Sequence, residues 1–420
     1  MNNKSKEFLS NIETGSVIVL LIFSDILNIP SSLNIIINLI SYGIVFLLIG
    51  RQWKRVAYVL TKEKVLLVLV GFACLSFFWS ATPSETFTQI RALVRTTLFG
   101  AYLTTRYTMR QQMNLLSWTI ALIAIISTII CILNPSYGIS ITNNVTTWQG
   151  IYAHKQYLGR SMGLGASLFL INIFSKPQKR WVNLPFFLLT FSLIVLSTSR
   201  TSLLVLLLPI LLFPLYKVAK KQSTVRIVFL LTILLVSIAT AAIVISNLET
   251  IVVDILGKDI EFNGRIPLWT LVIEKVSERP LLGYGYAGFW MSDAGSYIIK
   301  NTWAAFDEMT SQGKFHAHNG FLEITLELGL IGLTLLIIDM FLVIQRIIKL
   351  LISTQTVESF WMLVYMGIVL TVNLSEAKTF LSTNSIFWTL QASIAFSSAL
   401  ECSRMRKNSH LVLGEANMAG

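Results

Sequence analysis

Charge is what this chain has least of. Lys, Arg, Asp and Glu make up 13% of its 420 residues, about half of the roughly 25% usual in soluble domains. So few charges cannot cover the surface of a soluble fold of this length. Cysteine is scarce too. Cys74, Cys131 and Cys402 are odd in number and scattered, which excludes a disulfide framework and a cysteine-built metal site. Repeats of 20–50 residues and low-complexity tracts are missing, so the chain reads neither as a solenoid nor as a linker. Histidine occurs only four times, yet His316 and His318 stand one residue apart.

What the chain has is apolar length. Hydrophobic residues make up 54%, the mean hydropathy is +0.69, and many apolar runs exceed the roughly 18 residues that cross a bilayer as helix. The pattern predicts an all-α polytopic membrane protein of about 12 transmembrane helices. They fall near 16–29, 33–50, 64–80, 88–104, 114–133, 156–174, 183–198, 201–216, 225–246, 319–345, 357–375 and 383–400. Lys4 and Lys6 before the first run resemble a signal sequence. No small-residue cleavage site follows, and a second span comes soon after, so the run reads as a retained helix.

Most basic residues lie in alternate loops: Lys4 and Lys6, Arg51 to Lys64, Arg106 and Arg110, Lys176 to Arg180, Lys217 to Arg226, Arg346 and Lys349, and Arg404 to Lys407. The positive-inside bias makes these loops and both termini cytoplasmic. The net charge of +12 is therefore expected to face membrane lipid headgroups, with no nucleic acid among the partners. The opposite face carries residues 134–155 and a long segment, 247–318, whose RIPLWTLVIEKVSERPLLGYG reads as an amphipathic helix followed by a turn. The organisation is then nine spans in 1–246, a large extracytoplasmic loop in 247–318, three spans in 319–400 and a cytoplasmic tail in 401–420.

Candidate chemistry gathers on that opposite face. His316 and His318 end the long loop. They read either as polar residues capping the next helix, a role that also suits Asn319, or as the source of a general base whose pKa lies near neutrality. An i, i+2 pair does not share a helix face, and no third ligand stands at metal spacing, so no metal and no cofactor are expected. Glu323 and Glu327 lie one turn apart at membrane depth. They read as orienting or sugar-binding groups, or as structural hydrogen-bond partners. Arg200 sits among hydroxyls in LSTSRTSLL at a helix start, which suits a phosphate or an interfacial anchor. Arg265, in NGRIPLW, is a second phosphate candidate. Arg91 and Arg95 share a face of the fourth span and ask for anions or headgroups. His154, Lys155 and Arg160 add positive charge at the same side.

Five stretches in order resemble the bacterial O-antigen ligase and polysaccharide polymerase family. They are GIYAHKQYLG (with Gln156 where asparagine is usual), STSRTSLL, NGRIPLWTLVIEKVSERPLLGYGYAGF, HAHNGFLEITLELGLIGL and NLSEAKTF with its following FW. The resemblance implies a GT-C-like glycosyltransferase of the bacterial inner membrane with its active site on the periplasmic face. It implies an undecaprenyl-diphosphate-linked glycan as donor and a glycan or lipid A-core as acceptor. It assigns diphosphate binding to Arg200 and Arg265 and the catalytic base to His318, with His316 as the alternative. His316, Asn319, Glu323, Arg91, Arg95 and Lys155 would support them. HKQYLG and HNGFLE are more similar to the polymerase branch. Ligation to lipid A-core or protein is the runner-up. A flippase would line a passage at several depths with charge, whereas spans five, seven, nine and twelve carry none in their interiors.

Overall fold

The fold comes from a computed structural model, which describes residues 3–25, 27–142, 145–175, 178, 180–218, 265–306, 315–375 and 379–418. It is mostly helical. Helices α1 (Asn3–Ile22), α2 (Ser31–Arg51), the short amphipathic α3 (Trp53–Leu60), α4 (Lys64–Leu75), α5 (Pro83–Arg106) and α6 (Met109–Leu133) come first. A one-turn α7 (Pro135–Gly138), α8 (Lys155–Ser175), α9 (Arg180–Leu196) and α10 (Arg200–Val218) follow. The chain resumes with α11 (Arg265–Glu278), α12 (Asp293–Lys300), α13 (Gly320–Thr354), α14 (Val357–Ser375) and α15 (Ile386–Met418).

The expected spans inside the described residues overlap helices, though 16–29 is helical only to Ile22; 225–246 lies outside them. Among the described residues five helical segments are long and apolar enough to cross a bilayer: Ser32–Arg51, Met109–Leu133, Lys155–Ser175, Gly320–Thr354 and Val357–Leu374. The chain is a polytopic helical membrane protein. Shorter apolar helices pack among these segments. α5 carries Arg91, Arg95 and a run of threonines, which lower its hydropathy. Its buried Thr96, Thr97 and Thr104 return their hydroxyls to its own carbonyls one turn back, so it still packs into the bundle against α15.

Residues 139–148, expected as loop, contain strands Ile139–Thr142 and Val145–Trp148 in an antiparallel ribbon. The β-branched residues on either side of Asn143-Asn144 account for it.

Two apolar cores separate the molecule into parts. The larger joins helices from α1 to α15. The smaller is built from Leu268, Val272, Tyr284, Phe289, Trp290, Ile298 and Phe315 and lies above the start of α13. Its link to the bundle is PLLGYG, residues 280–285. That segment pairs with α13 where Gly329 (φ 63°, ψ −169°) breaks the helix. Tyr284 and Gly285 donate to the Leu326 and Glu327 carbonyls at 2.9 and 2.8 Å, while Leu330 and Ile331 donate to Pro280 and Leu281 at 2.8 and 3.3 Å. The break therefore orphans no backbone group at these positions. On its other side the same segment meets the end of α4: the Trp79 indole donates to Leu282 O at 2.9 Å and Ala81 N to Tyr284 O at 2.8 Å.

Candidate functional site

The segment FHAHN, residues 315–319, runs under the small domain. Phe315 and Ala317 point inward and are buried. Ala317 is fixed at both backbone groups. Its carbonyl accepts from the Trp269 indole at 2.8 Å, and its N–H donates to Glu323 Oε2 at 2.8 Å. The other oxygen of Glu323 accepts from the Trp290 indole at 2.9 Å. A buried carboxylate thus ties α13, the loop domain and the backbone between the two histidines into one unit. Asn319 caps α13, accepting from Phe321 N and Leu322 N at 3.0 and 3.2 Å. The capping reading holds for Asn319 and leaves both histidines off the helix.

His318 adopts a left-handed backbone, φ 51°, which a non-glycine residue takes only where surrounding contacts hold it. The turn brings the two imidazoles together: their ring centres lie 4.2 Å apart with the planes tilted by 58°, and His318 N donates to His316 Nδ1 at 3.2 Å. The ring of His318 is only 9% exposed. It packs against Trp303 and Phe315 at 5.4 and 5.9 Å, and its Nδ1 is buried without a hydrogen-bond partner among the described residues.

Burial is the main force on that imidazole, followed by the positive charges of Arg265 and then His154, and together they push its pKa down to about 3. Arg265 and His154 therefore lie within electrostatic reach of His318. Arg265 gets there because it opens α11, one turn before Trp269, the residue that docks α11 on Ala317. The spacing R-x-x-x-W is thus one helix turn with two jobs: indole to backbone, guanidinium toward imidazole.

His154 comes from the other side of the site. It precedes α8, whose first turn packs on the STSRTS turn. Lys155 Nζ reaches Thr198 Oγ1 at 3.5 Å. Gly159 lies so close that a Cβ there would stand 2.5 Å from Ser199 Cβ and 2.7 Å from Ser202 Oγ. The serine hydroxyls serve the turn itself: Ser197 donates to Ile194 O at 2.8 Å and Ser202 to Ser199 at 2.8 Å. They are packing groups. Arg200, the first residue of α10, is exposed beside them.

The structure thus brings together His316, His318, Asn319, Glu323 and Arg265, and sets Lys155 on the Arg200 turn. Arg91 and Arg95 have other company. Arg95 donates to Asn38 O and Oδ1 at 3.3 and 3.2 Å and to Asn384 Oδ1, and lies 4.1 Å over the Tyr42 ring. Arg91 stacks on Phe87 at 4.9 Å. Arg160, read as free positive charge, is instead paired with buried Asp25 at 3.3 Å, whose second oxygen accepts from Ser161 at 3.1 Å. Among the described residues no three His, Cys, Asp or Glu groups stand together as a metal site.

Trp269, Trp290 and Gly329 are the residues that sequence reasoning missed. The i, i+4 relation of Trp269 to Arg265 and a lone glycine inside an apolar helix pattern were the available signals.

The depressed His318 pKa has a measurable consequence. Unfolded, the imidazole takes a proton near pH 6.5; folded, only near 3. Between these values the unfolded chain holds the extra proton, so this group's contribution to stability is complete above pH 6.5 and lost as pH falls toward 3. The unfolding midpoint of the substrate-free protein should drop between pH 7 and 5, and His318→Gln should flatten that slope. An unchanged slope would place the imidazole in water.

The arrangement is that of a multispan helical membrane protein whose loop domain buries an imidazole within reach of the Arg265 guanidinium at one end of the bundle. Residues 185–337, which include Arg200, Arg265 and His318, match the family described as O-antigen ligase. The chain is 26% identical over 272 residues to the exopolysaccharide production protein ExoQ of Rhizobium meliloti, covering 63% of this chain and 60% of that protein. Over 99 residues it is 32% identical to "Putative polysaccharide ligase RP358" of Rickettsia prowazekii, 23% of each chain. Over 72 residues it is 40% identical to "Putative polysaccharide ligase RC0486" of Rickettsia conorii, 17% of this chain and 16% of that one.

Proposed function

We propose that the chain is a membrane glycosyltransferase that moves a glycan from undecaprenyl diphosphate to a sugar hydroxyl on a growing exopolysaccharide, capsule or O-antigen. One observation carries the reading: a buried imidazole lies in the field of Arg265 and His154, and Lys155, the residue after His154, reaches the turn that bears Arg200. Arg265 and Arg200 take the diphosphate, whose negative charge grows as the glycosyl bond breaks. Neutral His318 accepts the acceptor's hydroxyl proton as its oxygen attacks the anomeric carbon from the opposite side, which inverts that carbon. The diphosphate leaves on its lipid.

Diphosphate binding also restores the base. A free imidazole of pKa about 3 is a weak proton acceptor; an anion on Arg265 removes much of the repulsion that keeps it so. The donor thereby switches on the base that deprotonates its attacking acceptor. In this reading residues 247–318 form the periplasmic domain, both termini are cytoplasmic, the bundle is GT-C-like, and guanidinium groups stand where a divalent ion would otherwise act. The second reading, ligation of finished glycan to lipid A-core or protein, is supported by the ligase wording of the family and of the rickettsial relatives.

Purified protein in proteoliposomes with undecaprenyl-diphosphate-linked repeat units and EDTA tests the reaction. A polymerase gives a ladder of products; a ligase gives a single addition that depends on added acceptor. No product, or product only after a divalent ion is restored, would overturn the mechanism.

A further inference from the structure

A second cationic site lies at the far end of the molecule. α13 starts beside His318 and reaches Arg346 about 26 residues later, roughly 40 Å along the helix. There a cavity of about 490 Å³ opens between the α3–α4 turn, α13 and α15, lined by Lys62, Gln345, Arg346, Lys349, Ser403 and Arg406. Four cations from three elements surround one space. Arg346, Lys349 and Arg406 all act on the Cys402 thiol in its wall, so their fields converge.

Like charges do not gather round a cavity without cost. Glu63, whose side chain is buried, takes Arg346 Nη1, and buried Asp339 lies within electrostatic reach of both. Nε and Nη2 of Arg346 are buried and hydrogen-bonded to nothing among the described residues. Glu401 pairs instead with Arg404, at 3.7 Å. The cavity therefore offers the unused guanidinium donors of Arg346 within a lining that also bears Lys62, Lys349 and Arg406. Its depth in the bilayer follows from α3, which buries Val56 and Val59 and exposes Trp53 and Tyr58, the aromatic arrangement of a headgroup interface. Lys62 stands 4.5 Å over the Tyr58 ring.

We propose that this cavity binds a phosphate-bearing anion on the side opposite the transfer site. The phosphate of an anionic lipid headgroup is the source that the interfacial depth favours, and free phosphate shares the same chemistry. Two donors of Arg346 and the ammonium of Lys349 meet its oxygens, with Arg406 and Lys62 closing the ring of charge.

The test uses the full chain purified in neutral detergent and follows its thermal midpoint. Short-chain phosphatidylglycerol, inorganic phosphate and short-chain phosphatidylcholine are titrated separately. Phosphatidylglycerol should raise the midpoint saturably and phosphatidylcholine should not. Lys349→Gln and Arg406→Gln should each raise the half-saturating concentration about fivefold, and together about 25-fold, at roughly 1 kcal/mol per cation near a membrane surface. Arg404→Gln removes equal charge from outside the cavity and should change it less than about twofold, since exposed charges are screened within about 8 Å. Arg346 is left intact because removing it strands buried Glu63. If inorganic phosphate saturates alike and loses affinity in the same variants, the ligand is the free ion. The proposal fails if neither phosphate probe shifts the midpoint, or if the double variant binds as wild type does.

Discussion

His318→Ala should reduce glycan transfer at least about 100-fold, the lower end of what a positioned general base contributes, without unfolding the protein. In the proposed mechanism the imidazole acts on the acceptor's proton and arginines hold the diphosphate, so the loss should fall on kcat. Two comparisons make the result specific. Arg265→Lys keeps the charge but loses the bidentate fork, and should cost about tenfold, mostly in KM. His316→Ala removes the acceptor for His318 N and loosens the ring pair, so its cost should lie between wild type and His318→Ala. If His316→Ala is inactive and His318→Ala is not, the base is His316. If all three transfer glycan as wild type does, the chemistry lies elsewhere in the bundle.

The variant remains folded because of what surrounds residue 318. Ala317 is clamped from both sides by Trp269 and Glu323, and Asn319 caps α13 independently. Neither interaction uses the imidazole. What is lost is the packing against Trp303 and Phe315, a partial cavity costing about 1–3 kcal/mol. Catalytic and structural effects are therefore separable by comparing the unfolding midpoint with the rate.

Parts of this architecture were legible in the sequence for physical reasons that also explain the misses. A bilayer helix announces itself by local apolar length, and the cap at Asn319 by its place just before such a run. The fate of a buried charge is different, because its partner is distant in the chain. Nothing local to Arg160 points to Asp25, 135 residues away, and nothing local to Arg95 points to Asn38 and Asn384. The meeting of Arg265 with His318 came from the family resemblance, since spacing alone says nothing about two loop ends converging. The ribbon at 139–148 is different again: ISITNNVTTW carries a hairpin pattern of β-branched residues around Asn-Asn within an otherwise loop-like segment.

Gly329 shows what a helix pattern conceals, and its replacement should give the largest loss of stability. LELGLIGL has the period and hydropathy of uninterrupted helix, yet Gly329 has φ 63° and ψ −169°, a region essentially closed to residues with a Cβ. An added Cβ would stand 2.6 Å from Leu282 N and closer still to the Leu281 carbonyl. Both are backbone, so no rotamer relieves the clash. Gly329→Ala must push PLLGYG off α13 and give up some of its four backbone hydrogen bonds. At about 1 kcal/mol per bond and about 1–3 kcal/mol of backbone strain, the expected loss is about 3–6 kcal/mol. The effect should reach the site as well, because the displaced segment leads to Trp290, whose indole holds Glu323, whose carboxylate holds Ala317 beside His318. Gly71→Ala is the control: a Cβ there meets nothing within 4 Å, and in mid-helix it should be neutral or stabilising by up to about 1 kcal/mol. Thermal unfolding and protease sensitivity of residues 280–290 should separate the two. A Gly329→Ala protein with the wild-type midpoint would mean that α13 runs unbroken and that the loop domain is held by other contacts.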